Sequence, residues 1–119
     1  MLSVSSRDWP QRVQDILTAI ATVQARLNGL SFEAFVADKV LVESVLYKLI
    51  VIGEAAANIP TAIKEENPEL PWRKMSDMRN IVAHEYFRVE VGTVWETAQD
   101  NLPPLVEPLT GLLRRINNP

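Results

Sequence analysis

The chain has no cysteine. That excludes a disulfide framework, a thiolate nucleophile and a thiolate metal site. It has one histidine, His84. A histidine-rich metal centre is therefore ruled out, and a catalytic triad has no clear candidate set. Its four glycines do not form a loop that could cradle phosphates. Long apolar runs are missing too: Leu49–Ile52 is cut short by Gly53 and Glu54, well below the roughly 20 residues that span a bilayer. No basic-then-apolar leader opens the sequence, so the expectation is a soluble, cytoplasmic protein. Nor is there a cationic excess. The formal charge is -3, which argues against a general nucleic-acid coat protein, because non-specific affinity comes from neutralising phosphates. A small local basic site remains compatible with that balance.

What is present is a helical pattern. With 119 residues, 47% of them apolar, the chain reads as one domain, 1–119, with a packed core. Val13, Ile16, Leu17, Ile20, Val23 and Leu27 recur at three- and four-residue spacing, which predicts an amphipathic helix over about 8–27, ended by Asn28–Gly29. Ser31 is a candidate cap for a short turn through Phe35, and Asp38 for the next helix. Residues 39–58 are apolar on more than one face, the mark of a helix central to a bundle or shared with a subunit contact. Gly53 interrupts that helix at a propensity cost of about 1 kcal/mol, for which close helix packing is the usual reason. Glu54, a carboxylate in an apolar run, would find a partner in an arginine of the third helix or sit on an exposed stripe. Pro60 breaks the pattern, residues 61–66 suit one or two helical turns, and Asn67–Pro71 is a stiff connector. A third helix follows from Trp72 to about Glu85, with Met75, Met78 and Val82 inward. A fourth runs from Glu90 to Asn101, and a last one spans about 104–116 beyond Pro103–Pro104. Trp9, Trp72 and Trp95 are spaced as core anchors. The expected fold is an all-α bundle of four or five helices with short connections.

The chemistry concentrates in Arg79–Asn80–Ile81–Val82–Ala83–His84–Glu85–Tyr86. Arginine is always charged and presents a planar fork of donors that matches phosphate oxygens. A histidine near neutrality takes or gives a proton. Cleavage of an RNA phosphodiester needs both jobs, and it needs no metal when the nucleophile is the RNA's own 2'-hydroxyl. The same two residues also fit a surface or salt-bridged arginine and a satisfied helix-end histidine. On an ideal helix Arg79 and His84 stand about 7.5 Å apart along the axis and about 140° apart around it. A site using both needs a bent helix end, a wrapping Arg stem or a second copy of the helix. Asn80 could orient His84 or contact ligand, or simply face solvent. Tyr86 could bound the pocket, bond a phosphate or be modified, or simply pack. Arg73, Lys74, Arg79 and Arg88 make a basic neighbourhood that could steer RNA or be an ordinary mixed surface. Arg114–Arg115 reads as a charge pair matching a helix dipole.

At residues 79–86 the chain resembles the HepT-like toxins, a branch of the HEPN superfamily of all-helical ribonucleases. Their mark is an Arg, a polar residue, three more residues, a His, any residue and a Tyr; here these are Arg79, Asn80, His84 and Tyr86. Arg7–Asp8, Gly29–Leu30–Ser31, Asp38, Ile52–Gly53–Glu54–Ala55–Ala56, Pro71–Trp72, Met78 and Val94–Trp95 are similar to that family in the same order. The chain departs from it at Asp77, where a glycine is common, and at Tyr47, where a basic residue is frequent. The resemblance implies a HEPN-type bundle that forms a homodimer, with Arg79 and His84 of both subunits lining a cleft at the interface. It implies metal-independent endonucleolytic cleavage of RNA to a cyclic phosphate and a 5'-hydroxyl, with His84 as acid/base group, Arg79 as phosphate clamp and no cofactor. It also implies a partner, a small nucleotidyltransferase antitoxin that can transfer AMP to Tyr86. A non-enzymatic helical dimer that binds a nucleotidyltransferase or a nucleotide through the same pocket is the alternative.

Overall fold

The computed structural model describes residues 8–84 and 90–117, and of residues 82–84 the backbone alone. Every element among the described residues is helical, as the periodicity predicts. Four long helices carry the bundle: α1 (Trp9–Leu27), α3 (Lys39–Ala57), α5 (Trp72–His84) and α7 (Pro103–Asn117). Three short ones, α2 (Phe32–Ala37), α4 (Thr61–Glu66) and α6 (Val91–Glu96), fill the connections.

Local chemistry sets most of the boundaries. Gly29 adopts φ 80°, a left-handed conformation that L side chains resist, so α1 stops there. Ser31 Oγ accepts from the Ala34 N–H at 3.1 Å and starts α2. Asp38 Oδ1 accepts from the Leu41 N–H at 3.0 Å and starts α3. Both are N-caps of the expected kind. The segment expected as one helix from Glu90 to Asn101 is in fact two pieces. α6 passes into a π-helical turn, Thr97–Asn101, closed by the Leu102 N–H donating to the Thr97 carbonyl at 3.1 Å. Thr97 Oγ1, buried there, donates to the Thr93 carbonyl at 2.8 Å. Pro108 lies further inside α7 than a first-turn position. The carbonyl its missing N–H leaves unpaired belongs to Pro104, which is exposed to water.

Helix α3 is the central element, packed most extensively on α5 and α1. Val45, Leu49, Ile52 and Ala56 of α3 are fully buried, as are Ile16 and Ile20 of α1, Met75 of α5 and Leu109 of α7. This accounts for the apolar character of α3 on several faces. Arg26 of α1 donates to Ser44 Oγ of α3, pinning the two helices near one end. Phe32 and Phe35 of α2 meet the ring of Trp95 at centroid distances of 5.8 and 5.2 Å, joining α2 to α6.

The connector before α5 is organised by Asn67, buried though polar. Its backbone carbonyl accepts from Trp72 Nε1 at 2.9 Å. Its side chain donates to the Ile63 carbonyl at 2.9 Å and accepts from Arg115 Nη2 at 2.7 Å. Arg115 therefore does more than match the dipole of α7: it ties the end of α7 to the entry of α5.

Candidate functional site

The seam between α3 and α5 fixes Arg79. A Cβ placed on Gly53 would lie 2.6 Å from the Arg79 amide nitrogen, 2.8 Å from its Cβ and 3.0 Å from the Ser76 carbonyl oxygen. Only hydrogen fits there, so the two backbones touch. That is the close packing expected of a mid-helix glycine. Arg79 is thereby rooted against the α3 backbone, and its guanidinium emerges over the next residue along. Arg79 Nη1 donates to Glu54 Oε1 at 3.2 Å. Both alternatives for Glu54 hold at once: it pairs with a third-helix arginine, and it does so on an exposed stripe. The two side chains are 40% and 56% exposed, so the pair contributes at most about 1 kcal/mol to stability.

That stripe continues along α3. Val40, Tyr47 and Glu54 are spaced by seven residues, about two helical turns, and so share one side of the helix. Val40 is 76% and Tyr47 61% exposed. For two bulky side chains with apolar bodies on a central helix, this is much surface to leave uncovered.

The remaining predicted residues spread around α5. Arg73 and Asn80 are exposed. Lys74 is exposed too, and it lines a cleft on the far side of α5 from Gly53. Lys74 and Arg79 are five positions apart, about 140° around the helix, so one chain does not gather them into a single basic face. His84 closes α5, and its backbone stands at the same angular offset from Arg79. Its side chain, and the whole of Glu85, Tyr86 and Arg88, lie outside the described residues. So do the side chain of Val82 and all of Phe87 and Val89.

The cleft beside Lys74 has a volume of about 540 Å³. Asp77, Met78 and Ile81 of α5 line it from one side, and Thr97, Asp100 and Asn101 of the π-helical turn from another, with Pro104 and Leu105 of α7 beneath. Sequence reasoning missed this feature. It depends on where a π-helical turn meets α5, and no local pattern announces that. Among the described residues no three His, Cys, Asp or Glu side chains gather as metal ligands would. No described helix is long and apolar enough to cross a membrane.

Comparison with known proteins bears on what this seam is for. The family model described as "Ribonuclease HepT-like" matches residues 16–110. The chain is similar to a "Probable ribonuclease HepT" of Thermococcus cleftensis, 39% identical over 99 residues that cover 83% of this chain and 90% of that protein. It is also similar to a proposed RNase of Caldanaerobacter subterraneus subsp. tengcongensis, 34% identical over 103 residues, or 87% of this chain and 92% of that one. A proposed RNase of Methanocaldococcus jannaschii is 32% identical over 110 residues, covering 92% and 91% of the two chains. No solved structure matches.

Proposed function

Because the chain belongs to the HepT-like ribonuclease family of the HEPN superfamily, we propose that it is the toxin of a toxin–antitoxin pair and an endoribonuclease acting without a metal ion. Arg79 is the phosphate clamp. The observation that carries this is its seat: the root is locked against Gly53, one nitrogen is engaged by Glu54, and the guanidinium is partly open to solvent. An arginine held so, with donors to spare, is preorganised for phosphodiester oxygens.

The reaction is transesterification within the RNA. The 2'-oxygen attacks the adjacent phosphorus, the bond to the 5'-oxygen breaks, and a cyclic phosphate and a 5'-hydroxyl result. His84 takes the proton from the 2'-hydroxyl or supplies one to the leaving 5'-oxygen, and water completes the other transfer. Arg79 neutralises the charge that grows on the phosphoryl oxygens. Asn80 and Tyr86 bound the site, and Arg73, Lys74 and Arg88 steer the RNA toward it.

The working unit is a homodimer. Two facts support this: Arg79 and His84 diverge by about 140° around one regular helix, and the α3 stripe beside Arg79 exposes Val40 and Tyr47. A second copy would cover the stripe and bring a second Arg79–His84 segment to the same hollow. Transfer of AMP to Tyr86 by a nucleotidyltransferase antitoxin would place a phosphate beside Arg79 and compete with RNA for it.

The test is cleavage of varied RNAs by the cytoplasmically expressed protein, purified from cells that carry no nucleotidyltransferase antitoxin. Arg79→Ala should lose about 10²–10³-fold in rate and His84→Ala about 10²–10⁴-fold, and wild-type products should carry cyclic phosphate ends. Equal cleavage by all three proteins, or none by unmodified wild type, removes the proposal. Tight nucleotidyltransferase or nucleotide binding without turnover would instead establish the non-enzymatic alternative.

A further inference from the structure

Glu54 is an odd neighbour for a phosphate clamp. Its carboxylate cancels the charge of the arginine that should attract RNA, and it does so within 3.2 Å. The two side chains form an ion pair between α5 and α3. Exposed as both side chains are, it adds little to stability. Its meaning therefore lies in where it holds the guanidinium.

Resting on the nuclease reading above, we propose that Glu54 is the positioning residue of Arg79: it fixes the guanidinium over the α3 stripe through Nη1 and weakens ground-state phosphate binding as it does so. Three observations carry this. Gly53 removes freedom at the root of Arg79, because the backbone and Cβ of that arginine lie where a Gly53 Cβ would have to be. Glu54, the adjacent residue, removes freedom at its tip. The single contact leaves most of the five guanidinium N–H donors available. A site selected for affinity alone would omit the counter-charge. A site selected for turnover gains from it, because binding substrate and transition state equally well does not speed the chemical step, whereas a fixed donor geometry does.

The experiment separates orientation from charge. Glu54→Gln keeps an acceptor for Nη1 without the charge; Glu54→Ala removes both. Binding is measured with an oligoribonucleotide carrying 2'-O-methyl groups, which cannot be cleaved, and rate by single-turnover cleavage of saturating RNA. Both variants should bind the methylated RNA about three- to fivefold more tightly than wild type. At saturation Glu54→Ala should cleave at least about tenfold more slowly, while Glu54→Gln stays within about threefold of wild type. Tighter binding with slower turnover, rescued by glutamine, is a signature that loss of folding cannot produce. Binding unchanged or weakened in both variants, or undiminished turnover in Glu54→Ala, overturns the role given to Glu54 and leaves the nuclease intact. If wild type itself fails to cleave, the nuclease reading falls; the binding comparison still decides whether Glu54 acts as a counter-charge on a phosphate site.

Discussion

Helix α5 presents two unlike faces. Toward α3 it is sealed: Gly53 meets the Arg79 backbone with no room for a methyl group. Toward the π-helical turn it is open, bordering a cleft of about 540 Å³ lined by Lys74, Asp77, Met78 and Ile81. One helix therefore meets close backbone contact on one side, at Ser76 and Arg79, and an open cleft on the other. The lesson is about precision. A side chain rooted where backbones touch has few ways to move, which is what the clamp role proposed for Arg79 requires. A side chain bordering a cleft can adjust, which suits steering and recognition better than chemistry.

The contrast is easiest to break at its tight end. Gly53→Ala forces α3 and α5 apart, since the new methyl would meet backbone atoms that cannot rotate away. It should cost about 1–3 kcal/mol in chemical denaturation and lower RNA cleavage beyond what the lost stability explains. If Gly53→Ala denatures and cleaves as wild type does, the seam is not what positions Arg79. Asn67→Ala removes the acceptor for Arg115 and the donor to Ile63. It should cost about 1–2 kcal/mol by loosening the entry to α5, and at temperatures where the variant is folded it should cleave normally. Equal damage to cleavage from Asn67→Ala and Gly53→Ala would mean that the whole helix, rather than the seam, controls the site. On the open face Lys74→Ala should change stability by no more than about 0.5 kcal/mol. Its effect belongs in the salt dependence of RNA binding, which should become shallower. A large stability loss there would show that the cleft side is packed more tightly than its volume implies.

Much of this architecture was legible in advance. The apolar spacing of α1 and α7, the caps Ser31 and Asp38, the stop at Gly29 and the breaks at Pro60 and Pro71 are local effects. Each acts within a turn or two of chain, so neighbouring residues suffice to read it. Gly53 was legible as a point of close approach, because a glycine costs a helix interior stability that packing must return. Its opposite number was half legible: Glu54 asks for an arginine of the third helix, but nothing in residues 50–56 chooses Arg79 over Arg73. The π-helical turn was missed for a related reason. The wider register, with the Leu102 N–H on the Thr97 carbonyl, leaves no mark in the spacing of its apolar residues. The Asn67–Arg115 bond spans 48 positions, far beyond any local pattern.

By its own order of residues, then, this chain determined a helical protein, where its helices begin and end, which faces are apolar, and a family signature in the Arg79–Tyr86 octet. These are consequences of backbone hydrogen bonding and side-chain periodicity, which are short-ranged. Only the tertiary structure decided that Arg79 is rooted on Gly53 and turned toward Glu54, that Lys74 borders a cleft against the π-helical turn, and that Val40 and Tyr47 are exposed on the central helix of the single chain. Those outcomes depend on the distance and rotation between helices joined by long connections, and they are set by the packing of the whole core.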